Sequence, residues 1–475
     1  MYRQFVVPAS DLRLFALVCF FTVCSIETFA QAQRTDKPNI VFIFADDLGW
    51  GDLSCYGNNR IKTPALDKLA SEGTLFTQFY VAGSVCSPSR AGIMTGQYPA
   101  RNRIFGHFTT QKGVNERRGM PDYLDAGLPM LTDLLKETGY TTAHFGKWHL
   151  GTVIPSEYGV DVFRTDNHTN IKNSDPVDIW SPEARPHCTQ DILNDALEFV
   201  KQAKGQPFYA NVWLSDVHAT LNPSEEQLKE VRKFKPRMDV PFYGVEQVYY
   251  AALLEMDHQI GIFLDELDSM GVAENTLIIF SSDNGPEDYQ ISNAAHSGVG
   301  STGPFRGRKR SIYEGGIRVP FILRWPGSIP ASKVNDASVI NGVDFLPTIC
   351  RIAKVELPDA LATDGEDMSD VWLGADRNRT QPLFWEWRFR VFGHVLNRPP
   401  QLAVRDGDWK LLMNPDRSRV ELYNIPKDPS ELNNLADQES EIVNRLSRML
   451  LEWNATLPES PVDEVAGQNT YPWPE

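Results

Sequence analysis

The sequence predicts an α/β protein: a large, mostly parallel sheet sandwiched by helices, with a smaller C-terminal antiparallel sheet plus helix. Three observations carry this. From Lys37 onward, strand signals alternate with helix signals. The strands are unbroken apolar runs, as strands covered on both faces are. Beyond about residue 370 that alternation stops, and short strand signals follow one another across turn residues. At 475 residues, 42% hydrophobic and 23% charged, the chain can bury a large core. It divides on this reading into 31–370 and 371–475, after an N-terminal segment of 1–30.

Residues 39–45, N-I-V-F-I-F-A, are the first strand. Thr63-Pro64 opens a helix that runs to Ser71, with Gly73 ending it. Residues 130–138 read as a helix with Gly139 as C-cap, and 141–145 as the next strand. A helix over 191–204 stops at Gly205, and a strand over 208–214 follows. Residues 247–270 form a long amphipathic helix, and 277–281 a strand. In the C-terminal part 380–390 is aromatic-rich, and 402–413 predicts a hairpin turning at Asp406-Gly407. A strand over 421–423 and a helix over 439–453 complete it.

The formal net charge of −16 argues against a nucleic-acid or membrane-surface binder, which needs a basic face. A local basic pocket for an anionic substrate remains compatible with it. Residues 1–30 read as a secretory signal: Arg3 and Arg13, a short apolar run over 14–23, and small residues near Ala30. The run is too short to span a membrane. The expected location is therefore secreted or periplasmic (lysosomal or extracellular in a eukaryote). Of six cysteines, Cys19 and Cys24 leave with that signal. Cys55, Cys188 and Cys350 allow at most one disulfide if Cys86 is used otherwise, so this is no disulfide scaffold. Asn167, Asn378 and Asn454 stand in N-x-T sequons.

Residues 86–96, C-S-P-S-R-A-G-I-M-T-G, are the most informative stretch. Cys86 is expected in a loop before a helix from Ser89, and a helix N-terminus directs free N–H groups at an anion. Arg90 would sit in its first turn. Asp46 and Asp47 end the first strand, and Asp283 and Asn284 lie just past 277–281. In a parallel sheet, ligands gather beyond the carboxyl ends of strands. The two pairs can therefore meet, and three carboxylates with an amide oxygen suit Ca²⁺ or Mg²⁺. Either pair alone would read as turn or capping chemistry. Lys147 and His149 follow a strand and would share a face, with Trp148 on the other. His218 again follows a strand end, and Lys309 lies in the Gly-rich basic loop G-P-F-R-G-R-K-R.

Together these stretches resemble the formylglycine-dependent sulfatases, arylsulfatase-like members of the alkaline phosphatase superfamily. The resemblance runs from P-N-I-V-F-I-F-A-D-D-L-G-W-G-D at Pro38, through C-S-P-S-R, G-K-W-H-L-G, S-D-N-G-P and E-G-G-I-R-V-P, to E-L-Y-N-I-P-K-D-P-S-E-L-N-N-L-A at Glu421. It implies an alkaline phosphatase-like fold. It implies that Cys86 becomes Cα-formylglycine (3-oxoalanine), by a separate maturation enzyme. One Ca²⁺ per chain would be held by Asp46, Asp47, Asp283, Asn284 and the residue made from Cys86. Arg90, Lys147 and His149 would steady the aldehyde hydrate; His218 and Lys309 would hold sulfate and leaving-group oxygens. Two departures stand out: V-H-A-T-L-N-P around His218, where many members place prolines, and Asn284 directly after Asp283, where many insert a residue.

The implied reaction is hydrolysis of a sulfate monoester with S–O cleavage. A hydrate oxygen attacks sulfur, His218 or Lys309 protonates the departing alcohol, and His149 deprotonates the second hydroxyl to expel sulfate. The expected substrate is a sulfated carbohydrate, met by loops over 101–110, 164–169, 185–188, 296–310 and 385–390. These carry His107, His168, His187, His296, Trp387 and Arg388. Two other readings stay open: a formylglycine-dependent phosphonate or phosphate ester hydrolase, and a catalytically dead sulfated-glycan-binding protein.

Overall fold

The structure, a computed structural model, describes residues 37–472 apart from 168–170, 172–174, 204, 235–243 and 289–295. The expected signal at 1–30 and the rim residue His168 lie outside the described residues. Strand β1 (Asn39–Ala45) runs through the middle of a nine-stranded sheet. Its side chains alternate between two cores: Ile40, Phe42 and Phe44 enter one, Val41, Ile43 and Ala45 the other. Burial on both faces is why the run is apolar throughout.

The sheet also holds, in chain order, β2 (Thr74–Tyr80), β3 (Thr141–Gly146), β4 (Val162–Thr165), β5 (Phe208–Trp213), β6 (Thr276–Ser282), β7 (Arg318–Arg324), β8 (Lys333–Asn335) and β9 (Ile340–Asn341). Their spatial order is β4-β3-β5-β1-β6-β7-β2-β8, with β9 also paired to β2. β1 pairs in parallel with β5 and β6, and β3 with β5 and β4. Only β7 runs against its neighbours, β6 and β2. In register, Phe44 lies opposite both Trp213 and Ser281, and Gly146 opposite Trp213. The carboxyl ends of β1, β3, β5 and β6 therefore finish at one edge.

Helices cover both faces. α1 (Pro64–Ser71), α4 (Cys188–Ala203) and α5 (Val245–Ser269) send Leu66, Ile192 and Met256 into one core. Between α1 and α4 in the chain come α2 (Cys86–Thr95) and α3 (Leu131–Glu137), which pack with α6 (Phe345–Ile352) through Ile93, Leu131 and Phe345 on the other face. The second sheet is antiparallel, β10 (Leu383–Glu386), β11 (Leu402–Asp406), β12 (Trp409–Met413) and β13 (Glu421–Asn424), with α7 (Ser440–Asn454) set on it through Leu446 and Leu450.

The structure differs from the sequence reading in several respects. Thr63 makes no cap bond to α1, because its hydroxyl takes the Ser54 N–H; Asp257 on α5 accepts the Ala65 and Leu66 N–H groups instead. α2 begins at Cys86 itself rather than at Ser89. The hairpin turns at Gly407-Asp408, one residue later than expected, with Gly407 left-handed at φ 58°. β2, β4, β7, β8, β9 and β10 were not expected as strands. Cys55, Cys86, Cys188 and Cys350 are all free thiols.

Candidate active site

Asp46 and Asp47 leave the end of β1, Asp283 and Asn284 the end of β6, and the two turns lock together. The Asp47 N–H donates to Asp283 Oδ1 at 3.1 Å, the Asp283 N–H to the Ala45 carbonyl at 3.1 Å, and Asn284 Nδ2 to Asp47 Oδ1 at 2.7 Å. Asp47 is left-handed at φ 62°, a backbone state with a cost that surrounding contacts must hold. Gly285 follows because a Cβ there would lie 2.0 Å from the Gly315 carbonyl oxygen. Asp46, Asp47, Asp283 and Asn284 are all buried.

Cys86 is the first residue of α2, buried, and its Sγ lies within 4.8 Å of carboxylate oxygens of Asp46 and Asp283. Arg90, one turn along, donates from Nη2 to Asp283 Oδ2 at 2.8 Å and from Nη1 to the Lys147 carbonyl at 2.8 Å. Its guanidinium stacks over Trp213 at 4.9 Å. Lys147 Nζ meets Asp46 Oδ2 at 2.5 Å. Lys309 Nζ meets Asp47 at 2.6 Å and Glu287 at 3.5 Å. His218 Nε2 is 3.7 Å from Asp47 Oδ2. His149 Nε2 lies 3.0 Å from the Phe108 carbonyl.

The sequence argument for Lys147 and His149 needs correction. β3 ends at Gly146, and both Gly146 and His149 are left-handed, at φ 93° and 53°. The segment is not an extended strand. Trp148 points away because it packs against Trp213, Tyr158 and His144 in the core. Lys147 still reaches the cluster through Asp46, and His149 turns to the Phe108 carbonyl beside the His107 ring.

Charge is balanced within this buried group. Burial alone would raise Asp46, yet Lys147 first, then Arg90 and Lys309, hold its carboxyl well below the usual range. Burial opposes charge on Lys147 and Lys309, but Asp46 for one and Asp47 with Glu287 for the other keep both ammonium groups protonated. Burial, joined by Lys309, lowers His218, whose imidazole is therefore neutral. Its Nδ1 lies 2.5 Å from the Ala219 carbonyl, so Nδ1 carries the proton and Nε2 a lone pair.

Three further groups were not singled out in the sequence. Glu287 is buried and binds both Lys309 and Arg310. Trp180 stands with its ring 5.5 Å from Lys147 Nζ and 5.5 Å from the His218 ring, anchored by Nε1 donating to Asp166 Oδ2 at 2.9 Å. Arg185 ties the His218 loop together: it donates to the carbonyls of Ile179 and His218, to Ser215 Oγ and to Asp216 Oδ1. Asp216 in turn accepts the Asp46 N–H through its carbonyl at 3.0 Å. The signal available was charge complementarity between Glu287, three residues past Asn284, and the R-K-R loop. Of the expected rim residues, His107 lies near the site, 6.4 Å from His149 ring to ring. Trp387 is buried, and Arg388 is buried and held by Glu386. Neither offers a free face.

The residues fit a hard cation. Asp46 Oδ1 and Asn284 Oδ1 are buried oxygens with no hydrogen-bond donor among the described residues. Uncompensated buried acceptors of this kind are costly unless a cation meets them. Together with Asp47 and Asp283 they form an all-oxygen donor set of the type Ca²⁺ and Mg²⁺ prefer.

A family model described as Sulfatase matches residues 38–355, and one described as N-sulphoglucosamine sulphohydrolase, C-terminal, matches 303–456. An N-acetylgalactosamine-6-O-sulfatase of Bacteroides thetaiotaomicron is 29% identical, over 88% of this chain and 94% of the relative. The N-acetylgalactosamine-6-sulfatase of Homo sapiens is 32% identical over 73% of this chain and 68% of its own. Among solved structures, Ps i-CgsB in complex with k-i-k-neocarrahexaose superposes with a TM-score of 0.75 at 25% identity, covering 89% of this chain and 94% of that one.

Proposed function

The chain belongs to the sulfatase family and is a sulfuric ester hydrolase, and on that premise we propose that it removes sulfate from a sulfated carbohydrate using a formylglycine made from Cys86 and a divalent cation, Ca²⁺, in the acidic cluster. The observation that carries this is the position of Cys86. Its sulfur is part of the same buried group as the carboxylate oxygens of Asp46 and Asp283. Sulfur is a soft ligand among hard ones. An oxygen-bearing side chain at that position completes an all-oxygen set, as an aldehyde hydrate does. The relatives named above act on sulfated sugars by name, and that supports the carbohydrate reading.

When bound, the cation would supply Lewis acidity to oxygens at residue 86, with Asp46, Asp47, Asp283 and Asn284 as its protein ligands. The hydrated aldehyde would supply the attacking oxygen and a second hydroxyl for releasing sulfate. The remaining roles fall to this chain's own side chains. The α2 N-terminus directs its free N–H groups at the sulfate. Arg90 fixes Asp283 and the Lys147 carbonyl, so it sets the distance between nucleophile and carboxylates. Lys309, kept cationic by Asp47 and Glu287, neutralises charge on sulfate and leaving-group oxygens. His218 presents the Nε2 lone pair on the partly exposed side of the cluster; it would take the proton that the attacking hydroxyl releases and pass that proton to the departing alcohol. His149 accepts a proton from residue 86 at sulfate release.

The boundary near residue 370 is kept as a proposal, supported by the second sheet beginning at Leu383. Secretion to the periplasm or beyond, through the segment 1–30, and maturation by a formylglycine-generating enzyme are proposed on the same footing. No helix among the described residues is long and apolar enough to cross a membrane. The phosphonate or phosphate ester reading and the glycan-binding reading are weaker, because the complete set of cationic and acidic side chains is present. A Cys86→Ser protein tests the chemistry: it should be sulfated at most once per chain, seen as a stable mass increment. Sustained turnover by that variant would refute the hydrate scheme.

A further inference from the structure

The structure takes Arg185 off the substrate rim, where the sequence reading put 185–188. The residue stands just before α4 at 5% exposure, and its guanidinium turns inward to the loop that carries His218. Two nitrogens serve four acceptors there. Nη1 donates to the Ile179 carbonyl at 3.1 Å and to Ser215 Oγ at 3.0 Å. Nη2 donates to Asp216 Oδ1 at 2.9 Å and to the His218 carbonyl at 2.7 Å.

Each of these bonds fixes a different part of the surroundings of His218. The His218 carbonyl is its own main chain. Ile179 precedes Trp180, whose ring stands edge-on to the imidazole, 5.5 Å away at 80°. Asp216 is held on its other oxygen by Thr189 Oγ1 in the first turn of α4 at 2.6 Å, and its carbonyl accepts the Asp46 N–H at 3.0 Å. The Ser215 carbonyl accepts the His218 N–H at 3.0 Å and closes the turn. The imidazole follows this main chain, because Nδ1 is bound to the carbonyl of the next residue, Ala219. Anything that moves the 215–218 turn therefore moves Nε2. A buried ion pair such as Arg185 with Asp216 often returns no net stability over apolar side chains. What a guanidinium adds is a rigid fork that sets the spacing of its acceptors.

We propose that Arg185 is a positioning residue for proton transfer to the departing alcohol, holding His218 Nε2 in line with the leaving-group oxygen. It touches no reacting atom itself. The proton taken up at Nε2 leaves on the alcohol oxygen as the ester S–O bond breaks, and the ring ends neutral. The inference rests on the proton-carrying role proposed above for His218.

The test uses the mature enzyme and a series of aryl sulfates from 4-nitrophenyl to 4-methoxyphenyl sulfate, similar in size but departing as increasingly basic phenolates. For each, kcat/KM is measured per aldehyde-bearing chain. Arg185→Gln should lower the methoxy ester about tenfold more than the nitro ester, steepening the dependence on leaving-group basicity. A merely structural defect lowers every member by one factor and leaves that slope alone. Arg185→Lys should restore part of the loss. In the His218→Asn background, Arg185→Gln should add almost nothing, because both changes remove the same transfer. An unchanged slope in Arg185→Gln, or losses that multiply in the double variant, would overturn the inference and leave His218 its role. An unchanged slope in His218→Asn would refute that role and the inference with it. If the Gln chain does not fold, Arg185→Lys and Ser215→Ala, each keeping part of the network, are read on the same series: a smaller steepening in both supports the inference, and none in either overturns it.

Discussion

His218 is where geometry and reactivity pull apart most. Its ring is neutral, its Nδ1 is committed to the Ala219 carbonyl, and its Nε2 faces Asp47 at 3.7 Å. An acid in that position matters most when the departing alcohol is basic. His218→Asn should therefore lower kcat/KM for a sugar sulfate by about 10²- to 10⁴-fold, and for 4-nitrophenyl sulfate, whose leaving group needs no proton, by much less. Equal losses on both would move the proton to Lys309. At this scale the sequence was legible wherever a motif placed a group at a strand end, a helix start or the basic loop: Asp46, Asp47, Lys147, Asp283 and Asn284, then Cys86, then Lys309, all come together. Trp180, Arg185 and Asp166 were not legible. Their meaning lies in partners far away in the chain, Trp180 against Lys147 and His218 above all.

Among the elements, the apolar runs of β1 and β6 could be read because both faces of the sheet are covered. β7 could not, because Pro320 and the preceding Gly315-Gly316 resemble loop chemistry. β7 enters beside a buried polar knot that joins the two sheets. Lys410 on β12 lies 2.9 Å from both Glu314 and Glu431, and Tyr80 on β2 donates to Glu314 at 2.5 Å. Arg318 also meets Glu314 at 3.2 Å, whereas Glu431 has Lys410 alone as an ion-pair partner among the described residues. Burial opposes charge on Glu314, but Lys410, Arg318 and Arg405 hold it down to about 2; burial, which Lys410 does not offset, pushes Glu431 up to about 7 with the help of Glu314. Above its unfolded value of 4.5, Glu431 makes the folded state bind more protons than the unfolded one. Its contribution thus falls as pH rises from about 4.5 to 7. Glu314 works the other way, and its contribution is lost only as pH falls from 4.5 towards 2. The stability of the unaltered protein minus that of Glu431→Gln, from urea unfolding, should therefore decrease between pH 5 and 7. A flat or rising difference would contradict this assignment.

Across the whole molecule, a net charge of −16 coexists with a site whose three carboxylates face three cations, Arg90, Lys147 and Lys309. Adding a divalent cation gives that group an excess of positive charge, which suits an anionic ester and a developing oxyanion. Calcium at 100 times its dissociation constant should raise unfolding stability by about 2.7 kcal/mol. A chelator should remove activity, and Ca²⁺ should restore it. Asn284→Leu should weaken that thermal response, because Asn284 Oδ1 has no other described partner. The α/β class and the second antiparallel sheet were legible from composition and periodicity. The spatial order of the strands was not, since adjacency such as β1 beside β6 depends on contacts over 230 residues apart.

The most direct measurement is peptide mass spectrometry of residue 86 in protein that hydrolyses a sulfate ester, made in its own host or with a maturation enzyme. The account predicts an aldehyde at that position, in proportion to activity. Cysteine at residue 86 throughout a fully active preparation would contradict it.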